Sequence, residues 1–244
     1  MSQSRRGSRQ KGSRAKSSDD RDHVRVNTAR GRKISSTRWL SRQLNDPYVL
    51  QARKAGYRSR AAFKLTELDD RFGFLRGGAQ VVDLGAAPGG WTQVAVERAG
   101  KDNVIAVDAS PMDAIVGAQI ITANILEDAS IEAILEVTRD GVDVVLSDIA
   151  PAATGHRSTD HLRIVALAEA AFDVACRILR PGGVFVAKVY QGGAERDLLD
   201  ALKVAFRTVK HAKPNASRKE SSETYVIAID FGAADAETVP HVET

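Results

Sequence analysis

A single cysteine, Cys176, in 244 residues leaves no intramolecular disulfide to form and fits a reducing compartment. Cys176 falls in the apolar helical stretch from Ala170 to Leu179, so it is expected in the core. No apolar run approaches the roughly 18 residues that a membrane span needs. The N-terminus is polar and charged from the start, without the apolar stretch of a secretory signal. These absences lead to an expectation of a cytoplasmic chain with no membrane partner. No internal repeat is visible, and no metal site is expected. Negative charge is almost missing from the first 60 residues, which hold 17 Lys+Arg against 4 Asp. The remaining residues hold 18 Lys+Arg against 27 acids, so a front segment of +13 precedes a body of −9. A basic arm on an acidic-to-neutral domain is the electrostatic footprint of a polyanion binder, although a solubilising tail would look similar.

Residues 1–35 are rich in Ser, Arg, Lys and Gly, with too few large apolar side chains to offset ordering entropy, so a disordered arm is expected. Residues 36–231 are expected to form one catalytic domain and 232–244 an acidic flexible tail. Trp39, Leu40, Leu44, Tyr48 and Val49 bring in the first apolar anchors, and Arg60–Phe72 reads as an amphipathic helix. Beyond Gly77-Gly78 the pattern alternates. Strands are expected at 80–84, 103–108, 119–123, 142–147, 184–189, 208–212 and 224–231. Helices are expected at 91–99, 130–138, 162–179 and 194–206, with Pro181-Gly182-Gly183 stopping the third of these. Seven strands interleaved with helices specify an α/β fold, a mostly parallel sheet covered on both faces. In such sheets ligands bind beyond the carboxyl ends of the strands, at the topological switch point. Asp83–Trp91, Asp108, Asn124, Asp148 and Lys188 all follow strand ends, so the chemistry is expected there.

The segment Asp83-Leu84-Gly85-Ala86-Ala87-Pro88-Gly89-Gly90-Trp91 leads from strand to helix. Small residues let the backbone approach a ligand at the N–H donors of a helix start. A dinucleotide site wants glycine at the middle position against the pyrophosphate. Ala87 stands there, and Pro88 removes a donor, so a nicotinamide-type oxidoreductase is disfavoured. S-adenosylmethionine carries no phosphate and suits a tighter loop. Asp108 can accept from a cofactor ribose in either class. Asn124 can meet an adenine edge or simply cap its loop. Ser147-Asp148-Ile149-Ala150-Pro151 lacks the Pro-Pro-aromatic pattern that stacks on a flipped base, which argues against methylation of base nitrogens. Carbon-5 pyrimidine methylation needs a cysteine nucleophile, and Cys176 sits mid-helix. Lys188 interrupts an otherwise apolar strand. A lysine there is costly to bury unless paired, and beside a carboxylate and another cation it is a candidate base. The other reading is a strand-end lysine reaching to solvent.

Several motifs then agree: Arg58-Ser59-Arg60-Ala61-Ala62-Phe63-Lys64-Leu65, the Asp83–Trp91 loop, Pro111-Met112-Asp113, Asp148-Ile149-Ala150-Pro151, Lys188-Val189-Tyr190-Gln191-Gly192 and Glu223-Thr224-Tyr225. With these the chain resembles the FtsJ-type ribose 2′-O-methyltransferases over about Ser36 to Ile229. The resemblance implies a Rossmann-like class I methyltransferase fold, with S-adenosylmethionine as methyl donor. It implies a catalytic tetrad of Lys64, Asp148, Lys188 and Glu223. From the residues alone, Lys64 would pass as a solvated helix lysine and Glu223 as a surface carboxylate. The implied cofactor positions are Gly89, Trp91, Asp108, Asp148 and the position of Asn124, together with Asp83 and Gly85 at the loop's start. Family members carry Asp at that Asn124 position, so this chain departs there. Its front segment is also longer than in the short members. The implied substrate is a uridine ribose of 23S rRNA in the large ribosomal subunit, acted on by a monomer. The RNA would be held by the front arm and by Arg53–Arg60, mostly through phosphates, with Trp39 and Tyr48 able to stack on bases or to anchor helices. A tRNA 2′-O-methyltransferase and a non-catalytic ribosome-assembly factor are the alternatives.

Overall fold

In the computed structural model, the described residues are 40–41, 43–138, 140–151, 155–190 and 196–232. The expected arm, Trp39, Gln191-Gly192 and nearly all of the expected acidic tail lie outside them. The chain divides into two units, Met1–Pro47 and Tyr48–Thr244. In the first, Asn45 Nδ2 donates to Ser41 O at 2.7 Å within a short helical stretch. The second carries the α/β fold. Its elements begin with α1 (Pro47–Ala55) and α2 (Ala61–Phe72), then β1 (Val81–Leu84), α3 (Gly90–Ala99), β2 (Val104–Asp108) and β3 (Ala118–Thr122). They continue with α4 (Asp128–Val137), β4 (Val142–Ser147), α5 (Arg157–Ile178), β5 (Leu179–Tyr190), α6 (Arg196–Ala205), β6 (Phe206–Ala212) and β7 (Glu223–Phe231).

The sheet order is β3-β2-β1-β4-β5-β7-β6. Strands β1 to β5 pair in parallel, and β7 runs antiparallel between β5 and β6. The chain winds outward from β1 through β3 and then crosses to β4 on the other side of β1. This makes the β1/β4 boundary the switch point. Because both faces are covered, the central strands β1, β2 and β4 are largely apolar and buried, and alternate residues serve opposite layers. Val81, Val144, Leu146, Val186 and Ile227 pack with Leu65 and Leu68 of α2 and Val94 of α3. Val82, Val145, Phe185, Ala187 and Val226 pack with Ala171, Val174 and Ile178 of α5 and Leu198 and Leu202 of α6.

Two sequence expectations are corrected. Cys176 is exposed, not in the core. The buried stripe of α5 runs through Ala168, Ala171, Ala175 and Ile178, and Cys176 lies one step, about 100°, past Ala175. Pro181-Gly182-Gly183 does not separate α5 from the next strand. The helix already ends at Ile178, and the three residues lie within β5 at an irregularity between the pairs Val142↔Leu179 and Val144↔Val184. A bulge tolerates the missing N–H of Pro181. Gly183 fits there because an added Cβ would stand 2.9 Å from Arg180 O.

Candidate active site

The alternation that builds the core also assembles a polar cluster. Asp148 continues the parity of Val144 and Leu146 just past β4. Lys188 continues that of Val184 and Val186, and Tyr225 and Glu223 continue that of Ile227. Strand register then sets Lys188 opposite Tyr225 and Tyr190 opposite Glu223. Helix α2 covers this face with Leu65 and Leu68 and brings Lys64 with them. The four expected tetrad residues therefore meet. Lys188 Nζ donates to Asp148 O at 2.8 Å and pairs with Asp148 Oδ1 at 3.1 Å. Lys64 Nζ pairs with Glu223 Oε1 at 2.8 Å and stands 3.8 Å from Asp148 Oδ2. The Lys188 side chain is only 5% exposed, so it does not reach to solvent, and its charge is matched inside the protein.

Tyr225 and Ser217 complete the cluster. The buried Tyr225 hydroxyl donates to Asp148 Oδ1 at 2.7 Å and accepts from Lys64 Nζ at 3.1 Å. Ser217 Oγ donates to Glu223 Oε1 at 2.6 Å. Burial, then the Asp148 and Glu223 charges, hold the Tyr225 hydroxyl well above its usual range, so it stays a donor. For Asp148, burial alone would raise the carboxyl. The Lys188 and Lys64 charges and the Tyr225 hydrogen bond outweigh this and keep it below the usual carboxylate range. Tyr225 was within reach of sequence reasoning, since it sits two residues from Glu223 on one strand. Ser217 carries no such signal, because its loop is placed by contacts to α2: Glu67 accepts from the Ala216 N–H at 3.3 Å.

Beyond the ends of β1 to β4 lies an open cavity of about 430 Å³. Gly85, Ala87, Asp108, Asn124 and Asp148 line it, so Asp148 belongs to both the cavity and the cluster. Asp108 is half-buried. Its Oδ2 accepts from the Ala87 N–H at 2.9 Å and its Oδ1 from the Ser110 N–H at 2.7 Å, which leaves lone pairs on both oxygens. Asn124 lines the cavity while capping its loop: Nδ2 donates to Glu127 Oε1 at 2.9 Å and Oδ1 accepts from the Leu126 N–H at 3.2 Å. Gly85 holds φ +76°, and an added Cβ would stand 2.3 Å from Ile149 Cγ1. Among the described residues the lining includes Asp108 and Asp148 and no Lys or Arg. A pyrophosphate is repelled by such a wall and a cation is attracted.

Three expected cofactor residues stand behind the lining rather than in it. Asp83 is buried, with Oδ2 accepting from Thr92 Oγ1 at 2.7 Å. Burial, only partly offset by Thr92, pushes its carboxyl up to about 7. Trp91 is buried, its Nε1 donates to Ala61 O at 2.8 Å, and its ring centroid lies 5.6 Å from that of Tyr225. Gly89, at φ +106°, precedes α3. Tyr48 packs on Phe63 with centroids 5.7 Å apart and donates to Glu67 Oε1 at 3.3 Å, as a helix anchor would. Arg60 donates to Ala216 O, and Arg58 also donates to protein carbonyls, so part of the Arg53–Arg60 segment serves the fold.

Residues 57–231 match the family of FtsJ-like methyltransferases. The chain is 54% identical over 208 residues to the ribosomal RNA large subunit methyltransferase E of Gluconobacter oxydans, covering 85% of this chain and 77% of that protein. With the protein of the same name from Rhodospirillum rubrum it shares 53% identity over 236 residues, covering 94% of this chain and 89% of the relative. A solved structure of a ribosomal RNA methyltransferase from Plasmodium falciparum is similar at 31% identity and a TM-score of 0.64, over 72% of this chain and 98% of that one.

Proposed function

This chain belongs to the FtsJ-like methyltransferase family, and from that premise we propose that it methylates a uridine ribose 2′-hydroxyl of 23S rRNA in the large ribosomal subunit, with S-adenosylmethionine as donor. The observation that carries the reading is a paired, buried lysine, Lys188, held by the same carboxylate that lines the cavity, Asp148. The names of the relatives support rRNA as the substrate. The acidic cavity suits the cofactor, since its volume falls in the usual range for small-molecule sites and two carboxylates face a molecule that carries positive charge.

Gly85 and Ala87 would bring backbone close to the cofactor, Asp108 would accept from its ribose, and Asn124 would offer the lone pairs its capping role leaves. Bound there, S-adenosylmethionine supplies an electrophilic methyl group on a sulfonium. An alcohol is a poor nucleophile at neutral pH, so the chain must orient its lone pair and take its proton. Lys188 Nζ is assigned the role of directing or accepting that proton; as an acceptor it must first have given up its own. Asp148 fixes Lys188 through both its carbonyl and its carboxylate. Tyr225 donates to the same carboxylate oxygen, Oδ1, that Lys188 pairs with. Lys64, tied to Glu223, places the ribose and adds positive charge beside Lys188. Much of the rate would come from alignment.

Lys188→Ala should reduce transfer of labelled methyl to large subunits by at least about a thousandfold, while S-adenosylmethionine binding stays within a few fold. Full residual activity would remove Lys188 from the chemistry. Large subunits and naked RNA from a strain lacking the enzyme, compared side by side, separate the assembled substrate from free RNA. Methylation of tRNA but of neither would favour the tRNA alternative, and methylation of none would favour an assembly factor.

A further inference from the structure

We propose that Arg58 is a positioning residue of the cofactor pocket: its guanidinium braces the chain that follows β2 against the glycine-rich loop, and so sets the pocket's affinity for the methyl donor. The inference rests on the reading above that S-adenosylmethionine occupies this cavity.

Arg58 stands in the turn between α1 and α2, in the segment expected to contact RNA phosphates. Its guanidinium instead reaches into two distant loops. Nη1 donates to Asp113 O at 2.8 Å and to Pro88 O at 3.3 Å, and Nη2 donates to Ala114 O at 2.7 Å. Among the described residues, these are the only hydrogen bonds made by segment 111–114. Immediately before that segment, Ala109 and Ser110 form one wall of the cavity, and immediately before Pro88, Ala87 forms another. One planar group with several fixed donors therefore ties both walls together, a geometry that suits arginine and not lysine.

The brace is itself seated. The Arg58 N–H donates to Gln93 Oε1 at 2.8 Å, and Gln93 Nε2 donates to Gly56 O at 3.0 Å, which fixes the turn to α3. The backbone at Gly89 leaves room for it. An added Cβ there would stand 2.5 Å from Ile115 Cδ1 and 3.2 Å from Arg58 Nη1. Without the guanidinium, segment 111–114 loses its anchors, and the cofactor would have to order the wall on binding, which weakens affinity.

The test titrates the full-length protein with S-adenosylmethionine and S-adenosylhomocysteine by calorimetry in the absence of RNA, alongside steady-state assays on large subunits. Arg58→Ala should weaken both ligands on the order of tenfold. It should raise KM for S-adenosylmethionine to match, with kcat at saturating donor and KM for the subunit little changed. Arg58→Lys, with a compact ammonium, should recover little of the affinity. Unchanged ligand affinity, with a raised KM for the subunit and a shallower salt dependence, would show a phosphate contact and overturn the proposal. If Arg58→Ala does not fold, Arg58→Gln, which keeps two N–H donors, is read by the same criteria. A fall in melting temperature with unchanged affinity also overturns it. Failure of the wild-type protein to bind either ligand would sink the cofactor reading instead, so the two failures are distinct.

Discussion

At the scale of single residues, the site is governed by which buried charges are matched. Lys188 and Asp148 are both withdrawn from water, and each makes the other tolerable. Asp83 has no cationic partner among the described residues, and burial raises its carboxyl to about 7. An unfolded aspartate titrates near 4. The favourable contribution of Asp83 is therefore fully present below about 4, declines as pH rises and is gone above about 7. Asp148 acts in the opposite sense, stabilising above the usual carboxylate range and losing that contribution as pH falls toward its depressed value. Asp83→Asn, measured by denaturant unfolding at about pH 5 and about pH 8, should remove up to a few kcal/mol of the decline between those two conditions. Equal declines in the two proteins would show that Asp83 is not the titrating group.

At the scale of elements, the strand-to-helix loop after β1 depends on backbone that a side chain would block. Gly85→Ala forces a residue to φ +76° and places its Cβ against Ile149. The expected cost is about 1–3 kcal/mol for the backbone alone, with weaker cofactor binding in the same titration. Gly73, at the end of α2, has φ +65° and nothing within 4 Å of an added Cβ. Gly73→Ala should therefore show the backbone cost without the loss of binding, and equal effects on binding would mean that contact with Ile149 is irrelevant. The glycine loop, the strand ends and the seven strands were legible because each is written in local periodicity and turn chemistry. The placement of Pro181-Gly182-Gly183 was not, since the pairing of β5 with β4 overrides what the turn residues suggest locally. Lys64, Glu223 and Ser217 look like surface residues in the sequence. They become a site only when β7 pairs with β5 and α2 lies over both, the latter joining Lys64 to Tyr225 across 161 residues.

At the scale of the whole molecule, the charge is divided between a +13 front and a −9 remainder. The cavity wall carries two carboxylates, so on the proposed function the attraction for RNA would come from the front segment. Removing residues 1–35, which hold 11 Lys+Arg and 3 Asp, should leave S-adenosylmethionine binding intact. It should weaken RNA binding and flatten the dependence of log K on log salt by about 0.7–0.9 for each phosphate no longer neutralised. An unchanged salt slope would assign RNA attraction elsewhere. The insertion of β7 between β5 and β6 has a consequence for how the enzyme is made. Every described residue lining the cavity precedes residue 168, whereas Tyr225 and Glu223 lie on the last strand of the sheet. A ribosome making this chain therefore releases the described cavity residues, with Lys64, Asp148 and Lys188, before the Tyr225 and Glu223 side of the cluster exists. A product cut short before β7 would lack the Tyr225 and Glu223 side of the cluster and leave one side of β5 unpaired, an edge open to aggregation. On the proposed roles, the cluster is thus complete only once β7 has emerged, so a chain stopped before that strand would bind the donor without methylating.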